Sequence, residues 1–115
     1  MRTLPPSRGE IWTCDFGIPV GHEQGSKRPC LVISVDDFNH GPAELAAVMP
    51  CTSAERMVPW HIRIEPPEGG VSMVSYVLCD QIRVVSFTRF IKCLGSVGNG
   101  TVSRVESMLR VFLDL

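Results

Sequence analysis

The chain has 115 residues, of which 44% are hydrophobic and 20% charged, and this composition excludes a disordered or low-complexity protein. The formal net charge of −1 excludes nucleic-acid binding through a uniformly positive surface. Neither a secretory signal nor a membrane span is predicted, because the N-terminus has no apolar segment and no apolar run approaches about eighteen residues. We therefore expect one cytoplasmic domain, residues 1–115.

The first half of the chain is predicted to be rich in β-strands. Apolar-polar alternation or short apolar runs predict strands at 10–16, 29–35 and 45–52. Segment 17–25 carries three glycines and a proline, which predicts a mobile loop, and 36–42 is predicted to be a turn.

The strand pattern continues in the second half. Strands are predicted at 61–65 and 73–79, separated by a Pro-Pro-Glu-Gly-Gly turn at 66–70, and two shorter strands at 81–85 and 89–94. Many short strands at regular spacing predict a strongly bent antiparallel sheet or a small barrel.

The C-terminal segment has a different periodicity. Its apolar residues recur at helical spacing, which predicts an amphipathic helix packed on the sheet: Val102, Val105, Met108, Leu109, Phe112 and Leu113. Thr101 is the predicted N-cap, and a capping box of Ser103 with Glu106 is the alternative. The predicted fold class is therefore mainly β with helices.

The cysteines and histidines do not predict a metal site. Five cysteines occur without any C-x-x-C pair and mostly within apolar strand-like runs, as buried reduced thiols do. The three histidines have no pairing at metal-ligand spacing. These residues are Cys14, Cys30, Cys51, Cys79 and Cys93, and His22, His40 and His61.

Polar side chains gather where predicted strands begin or end. Arg28 precedes a buried strand, and its fork of N–H donors matches phosphate oxygens, although an ordinary surface arginine would fit the same position. Thr52 and Ser53 end a strand and can donate to an anion or cap a turn. No nucleophile-base motif or phosphate-binding glycine loop occurs. The residues alone predict a β-rich domain with polar groups at strand ends.

Four ordered motifs resemble the MazF/PemK family of toxin endoribonucleases. They are RGEIW at 8–12, GHEQGSKRPCLVIS at 21–34, PCTS at 50–53 and SYVLCDQIR at 75–83. The resemblance runs from about Arg8 to the end of the chain. It implies an SH3-like β-barrel with a C-terminal helix, usually assembled as a homodimer.

The resemblance also implies an activity. Such toxins cleave single-stranded RNA without a metal or cofactor, in a groove that an antitoxin of the MazE type occupies to hold the toxin inactive. Messenger RNA is the expected substrate, with ribosomal or transfer RNA as alternatives. Carried onto this sequence, the resemblance implies that Arg28, Thr52 and Glu23 are catalytic, in that order, and that a second set binds RNA: Gln24, Lys27, Ser53, Gln81 and Arg83.

These roles fit the chemistry of 2′-OH attack on the neighbouring phosphate. Arg28 would neutralise the charge that develops on the phosphate, and Thr52 would donate a hydrogen bond to it. A guanidinium is a poor proton acceptor, so Glu23 is the easier general base if its loop closes over RNA. Bases could stack on Trp12, Phe16 or Trp60, although core packing is the alternative for both tryptophans.

Two other functions fit a small β-barrel. The gyrase inhibitor CcdB resembles this family in fold and acts by binding protein, but its activity depends on a Trp-Gly-Ile C-terminus, whereas this chain ends in Leu-Asp-Leu. An SH3-like module that binds proline-rich peptide would need an aromatic groove, and aromatic residues make up only 7% of the chain.

Overall fold

The computed structural model describes residues 3–115 as a seven-stranded antiparallel sheet with a long C-terminal helix. The strands are β1 Glu10–Asp15, β2 Lys27–Val32, β3 Leu45–Thr52, β4 His61–Ile64, β5 Ser75–Leu78, β6 Arg83–Ser86 and β7 Phe90–Ser96. The helices are α1 Asp36–Asn39 and α2 Asn99–Leu113, and three 3-10 turns cover Glu68–Gly70, Cys79–Gln81 and Phe87–Arg89. The predicted fold class is confirmed, and α1 lies within the segment predicted to be a turn.

The sheet bends around β3, which pairs with three strands. The strand order is β4-β5-β3-β2-β1-β7, and β6 pairs with the first half of β3 while β5 pairs with its last two residues. Pro50 lies between these two partner segments, where a residue without an N–H group is tolerated. Within residues 3–115 no ladder joins the outer strands β4 and β7, so the barrel-like sheet remains open.

Apolar side chains on both faces of the sheet form two packed clusters. Successive residues of β1, β2 and β3 alternate between the clusters, as the period of a strand requires. Burying one such side chain contributes about 1.5–3 kcal/mol. One cluster is built on Ile11, Leu31, Met49 and Val105 of α2, and the other on Trp12, Cys30, Val48 and Phe90.

Helix α2 begins earlier than predicted. It starts at Asn99, and its N-cap Gly98 makes no side-chain capping bond. Thr101 is a buried residue inside the helix, so its prediction as N-cap is wrong. Glu68 provides the cap instead, because one carboxylate oxygen accepts bonds from the Gly98 N–H at 2.9 Å and from the Thr101 hydroxyl at 2.5 Å. A carboxylate at this position also interacts favourably with the helix dipole.

The alternative capping box is also wrong. Ser103 and Glu106 lie inside α2, and the Glu106 carboxylate forms an ion pair with Arg8. Arg8 also donates to the carbonyl of Ile33, so this arginine ties the helix to the segment after β2. Within the part of the chain that the structure describes, no helix combines the length and hydropathy needed to cross a bilayer.

The prediction of buried, reduced cysteines is confirmed for four of the five. Cys14, Cys30, Cys51 and Cys79 are buried free thiols, and Cys93 is half-buried. Burial raises the pKa of Cys51 and of Cys79 to about 12 and raises that of Cys30 well above its ordinary value. These thiols are therefore protonated and unreactive near neutral pH.

Alkylation with iodoacetamide at pH 8 should accordingly modify Cys93 first. The buried thiols should react only after unfolding, because the reagent cannot reach them in the folded protein. Mass spectrometry of proteolytic peptides over a time course measures each site. Labelling of Cys51 in the folded protein as fast as that of Cys93 would contradict the burial described here.

Candidate functional site

The pairing of β2 with β3 brings Arg28 and Thr52 together. The last pair of this ladder is Cys30 with Pro50, and extending the antiparallel register by two residues sets Arg28 opposite Thr52. Both side chains line a cleft of about 610 Å³ at the end of the ladder. The cleft is also lined by two further predicted residues, Lys27 and Ser53.

The Arg28 side chain is held by the loop that precedes it. Its Nε donates to the carbonyl of Gly25 at 2.8 Å. Among residues 3–115, no hydrogen bond or ion pair occupies its two terminal nitrogens. The positive charge of Arg28 also acts on the neighbouring Cys51 thiol, where it partly opposes the burial that raises the pKa. The open end of the guanidinium can therefore bind two oxygens of a phosphate.

Thr52 presents a hydroxyl of fixed position to the same cleft. Its Oγ1 accepts a hydrogen bond from the Ala54 N–H at 3.1 Å. The hydroxyl proton is not used in this bond, so it can be donated to an anion in the cleft. The arrangement gives one cationic and one neutral donor side by side.

Part of the lining of the cleft was not predicted. It consists of Gly70 and the segment after it, including Ser72, Met73 and Ser75. A Cβ on Gly70 would lie 2.0 Å from the carbonyl oxygen of Leu94, so only glycine allows this close packing against β7. The Gly-Gly pair of the predicted turn was the available signal for such an approach.

The loop 17–25 is a loop as predicted, and it folds back on itself. The Ser26 N–H donates to the Gly17 carbonyl at 2.7 Å and the Phe16 N–H to the Ser26 carbonyl at 3.0 Å, which closes its neck. Gly25 is buried, and a Cβ there would lie 2.4 Å from Cδ of Pro19. The mobility expected of this loop stays a prediction.

Glu23 lies apart from Arg28 and Thr52. It lines a second pocket, of about 430 Å³, together with Gln81 and Arg83. Its carboxylate accepts from the Val20 N–H at 3.0 Å, within its own loop. The structure therefore separates the predicted residues into a cleft with Arg28 and Thr52 and a neighbouring pocket with Glu23.

Gln24, Gln81 and Arg83 belong to this second pocket or its rim. The backbone N–H of Gln24 donates to Gln81 Oε1 at 2.8 Å, and Gln81 Nε2 donates to the His22 carbonyl at 3.4 Å. The Arg83 guanidinium lies 4.2 Å from the centre of the Phe16 ring, a cation–π contact.

The aromatic residues predicted to stack on bases are mostly enclosed. Trp12 is 2% exposed and Phe16 5% exposed, so Trp12 is a core residue and neither ring has a free face. Trp60 is half-buried and packs edge-on against Phe112, with ring centres 5.6 Å apart. Within the described residues, no group of three or more metal-ligating side chains is assembled.

The structure is thus a small domain in which a bent β-sheet opens a cleft at the end of two paired strands, lined by the cations Lys27 and Arg28 and by the hydroxyl of Thr52. A family model described as "PemK-like, MazF-like toxin of type II toxin-antitoxin system" matches residues 7–113. The chain belongs to this family, as its motifs predicted.

Similar proteins and structures agree with this assignment. Endoribonuclease EndoA of Bacillus subtilis is 28% identical over 109 residues, covering 94% of each chain. Endoribonuclease MazF9 of Mycobacterium tuberculosis is 27% identical over 113 residues, covering 94% of this chain and 96% of the relative. The crystal structure of MazF from Deinococcus radiodurans superposes with a TM-score of 0.84 at 29% identity, covering 96% of this chain and 97% of the other.

Replacing Gly25 with alanine should destabilise the loop that holds Arg28. The added Cβ would overlap Pro19 and the Gly17 carbonyl, and overpacking of this kind costs about 1–3 kcal/mol. Urea denaturation measures the loss, and amide hydrogen exchange at 17–26 should speed up. Gly100→Ala is the matched control, because a Cβ there meets nothing within 4 Å in α2 and alanine favours a helix. Equal stability of the two variants would contradict the tight packing at Gly25.

Proposed function

We propose that this chain is the toxin of a type II toxin–antitoxin system and cleaves single-stranded RNA by attack of a ribose 2′-OH on the adjacent phosphate. The observation that carries the proposal is the open guanidinium of Arg28 beside the free hydroxyl of Thr52 in one cleft. Membership of a toxin family and the names of the two endoribonucleases support the same activity.

The two donors suit the charge changes of this reaction. The 2′-OH loses its proton to a general base and its oxygen forms a bond to phosphorus, negative charge builds on the non-bridging oxygens, and the bond from phosphorus to the 5′-oxygen breaks as that oxygen takes up a proton from water. Arg28 neutralises the developing charge and Thr52 donates a hydrogen bond to it, and one such donor is worth about 3 kcal/mol of barrier. The products are a 2′,3′-cyclic phosphate and a 5′-OH.

Glu23 ranks third among the proposed catalytic residues. A carboxylate is a reasonable acceptor for the 2′-OH proton, whereas a guanidinium is a poor one. In the structure Glu23 is bonded to its own loop and faces the second pocket. Its use as a base therefore requires that the loop carry it toward the cleft when RNA binds.

Lys27 and Ser53 are proposed to contact RNA beside the scissile phosphate, since both are exposed and line the cleft. Gln24 and Arg83 are proposed to contact the adjoining nucleotide at the second pocket. DNA lacks the attacking 2′-OH, so it can bind but is not cut.

The proposed assembly follows the family. A Deinococcus radiodurans MazE–MazF complex is 29% identical to this chain over 98% of its length, with a TM-score of 0.79. We propose a MazE-type antitoxin, a homodimer, a cytoplasmic location and one toxin domain within residues 1–115. A CcdB-like poison that captures a protein is not proposed, because an anion cleft suits RNA better.

Arg28→Ala should lower the rate of RNA cleavage by at least about a hundredfold, because the developing phosphate charge loses its cation. Thr52→Ala should lower it by about ten- to a hundredfold, and Thr52→Ser should retain most of the activity because the hydroxyl survives. The assay incubates a long mixed-sequence RNA with purified protein in excess EDTA and maps the cut sites and end groups.

Arg110→Ala is the matched control, since Arg110 is an exposed residue in the last turn of α2, outside the cleft. It should cleave like the unaltered protein. Intact RNA after incubation with folded, antitoxin-free protein would refute the proposed activity, as would cleavage that Arg28→Ala leaves unchanged.

A further inference from the structure

The side chain of Gln81 forms two hydrogen bonds with the loop before Arg28. Its Oε1 accepts from the Gln24 N–H at 2.8 Å, and its Nε2 donates to the His22 carbonyl at 3.4 Å. The amide thus pairs with two main-chain groups of the loop, as a neighbouring strand would. Both polar ends of the side chain are occupied in this way, although Gln81 is 57 residues from Gln24 in sequence.

The segment bound by Gln81, residues 22–25, also orients Arg28. The residue after Gln24 is Gly25, whose carbonyl accepts the Arg28 Nε–H at 2.8 Å. This bond restrains the plane of the guanidinium of Arg28, which lines the cleft. A displacement of the loop at Gln24 would therefore move the acceptor on which the orientation of Arg28 depends.

The turn that carries Gln81 is attached to the core of the protein. It ends the 3-10 turn Cys79–Gln81, where the Cys79 N–H donates to the Trp60 carbonyl at 3.1 Å. Asp80 in the same turn lies 3.3 Å from His61 Nε2, and the His61 side chain is only 9% exposed. Buried Cys79 completes the attachment of the turn to the core. A side chain on this turn can hold a loop without moving with it.

We propose that Gln81 is a positioning residue, which fixes the orientation of the Arg28 guanidinium through the 22–25 segment rather than by contact with RNA. The effect on cleavage rests on the proposed function, whereas the two hydrogen bonds between Gln81 and the loop do not. Loss of Gln81 then lowers the rate of the chemical step and leaves RNA affinity nearly unchanged. A residue that bound RNA directly would change affinity instead.

The test compares Gln81→Met with Gln81→Glu in the full chain. Methionine keeps the volume but makes neither bond, and glutamate keeps the acceptor for the Gln24 N–H but cannot donate to His22. Cleavage under single-turnover conditions at saturating RNA should fall about tenfold in Gln81→Met and less in Gln81→Glu. The Kd for the same RNA with a 2′-deoxy residue at the cut site, which cannot be cleaved, should change less than about threefold.

A second readout does not depend on catalysis. Nitrogen-15 NMR follows the exchange of the Arg28 Nε–H proton and of the Gln24 amide with solvent, and both should exchange about tenfold faster in Gln81→Met. In Gln81→Glu the Gln24 amide should stay protected. Gln24→Met is the matched control, because it replaces a glutamine side chain that takes no part in the bond to Gln81 and keeps the backbone N–H, so both exchange rates should be unchanged.

The outcomes separate this inference from the proposed activity. Unchanged Arg28 exchange in Gln81→Met overturns the positioning role, and so does a large rise in Kd with no fall in the cleavage rate. If the unaltered protein cuts no RNA, the proposed activity fails, while the exchange measurements still decide whether Gln81 holds the loop against Arg28. If Gln81→Met does not fold, Gln81→Glu decides. A cleavage rate below that of the unaltered protein, with faster exchange at Arg28 and a protected Gln24 amide, supports the positioning role, and an unchanged rate with unchanged Arg28 exchange overturns it.

Discussion

The register between β2 and β3 is the constraint on which the site depends. Pairing of Cys30 with Pro50 sets Arg28 opposite Thr52 just beyond the ladder. A slip of one residue would send every side chain of one strand to the other face of the sheet. Both faces are packed with apolar side chains, so such a slip would move each side chain into a space shaped for another, and misfitting side chains in a packed core cost about 1–3 kcal/mol each. The polar pair is thus positioned by apolar packing that takes no part in its chemistry.

The strands and several residues of the cleft could be predicted from the sequence. Alternation predicted the central strands to within a few residues, and the family resemblance assigned Arg28, Thr52 and Ser53, which lie at strand ends and line the cleft. The start of α2 could not be predicted from the sequence, because its cap is the carboxylate of Glu68, which lies 30 residues from Gly98. Prediction of a helix start uses the residues next to it in sequence, and a carboxylate that tertiary folding brings to the helix is not among those residues.

The same limit applies to Glu23 and Gln81. The family resemblance assigned a catalytic role to Glu23 and contact with RNA to Gln81. The structure gives the Glu23 carboxylate a partner in its own loop and gives both ends of the Gln81 amide partners in the chain. These partners form only in the folded chain, so the sequence alone could not suggest a positioning role for Gln81.

The partner of Arg28 differs from those of Arg8 and Arg63, although Arg89 and Arg104 also donate to backbone carbonyls. Arg8 and Arg63 pair with the carboxylates of Glu106 and Glu65, which neutralise them. Arg28 instead donates to a backbone carbonyl, which fixes the side chain without adding a negative charge. Its positive charge therefore remains available at the mouth of the cleft, even though the protein as a whole carries a net charge of −1. A protein with no overall attraction for nucleic acid can still stabilise one phosphate strongly, because the field of an uncompensated, partly desolvated cation acts mainly over the few ångströms around it.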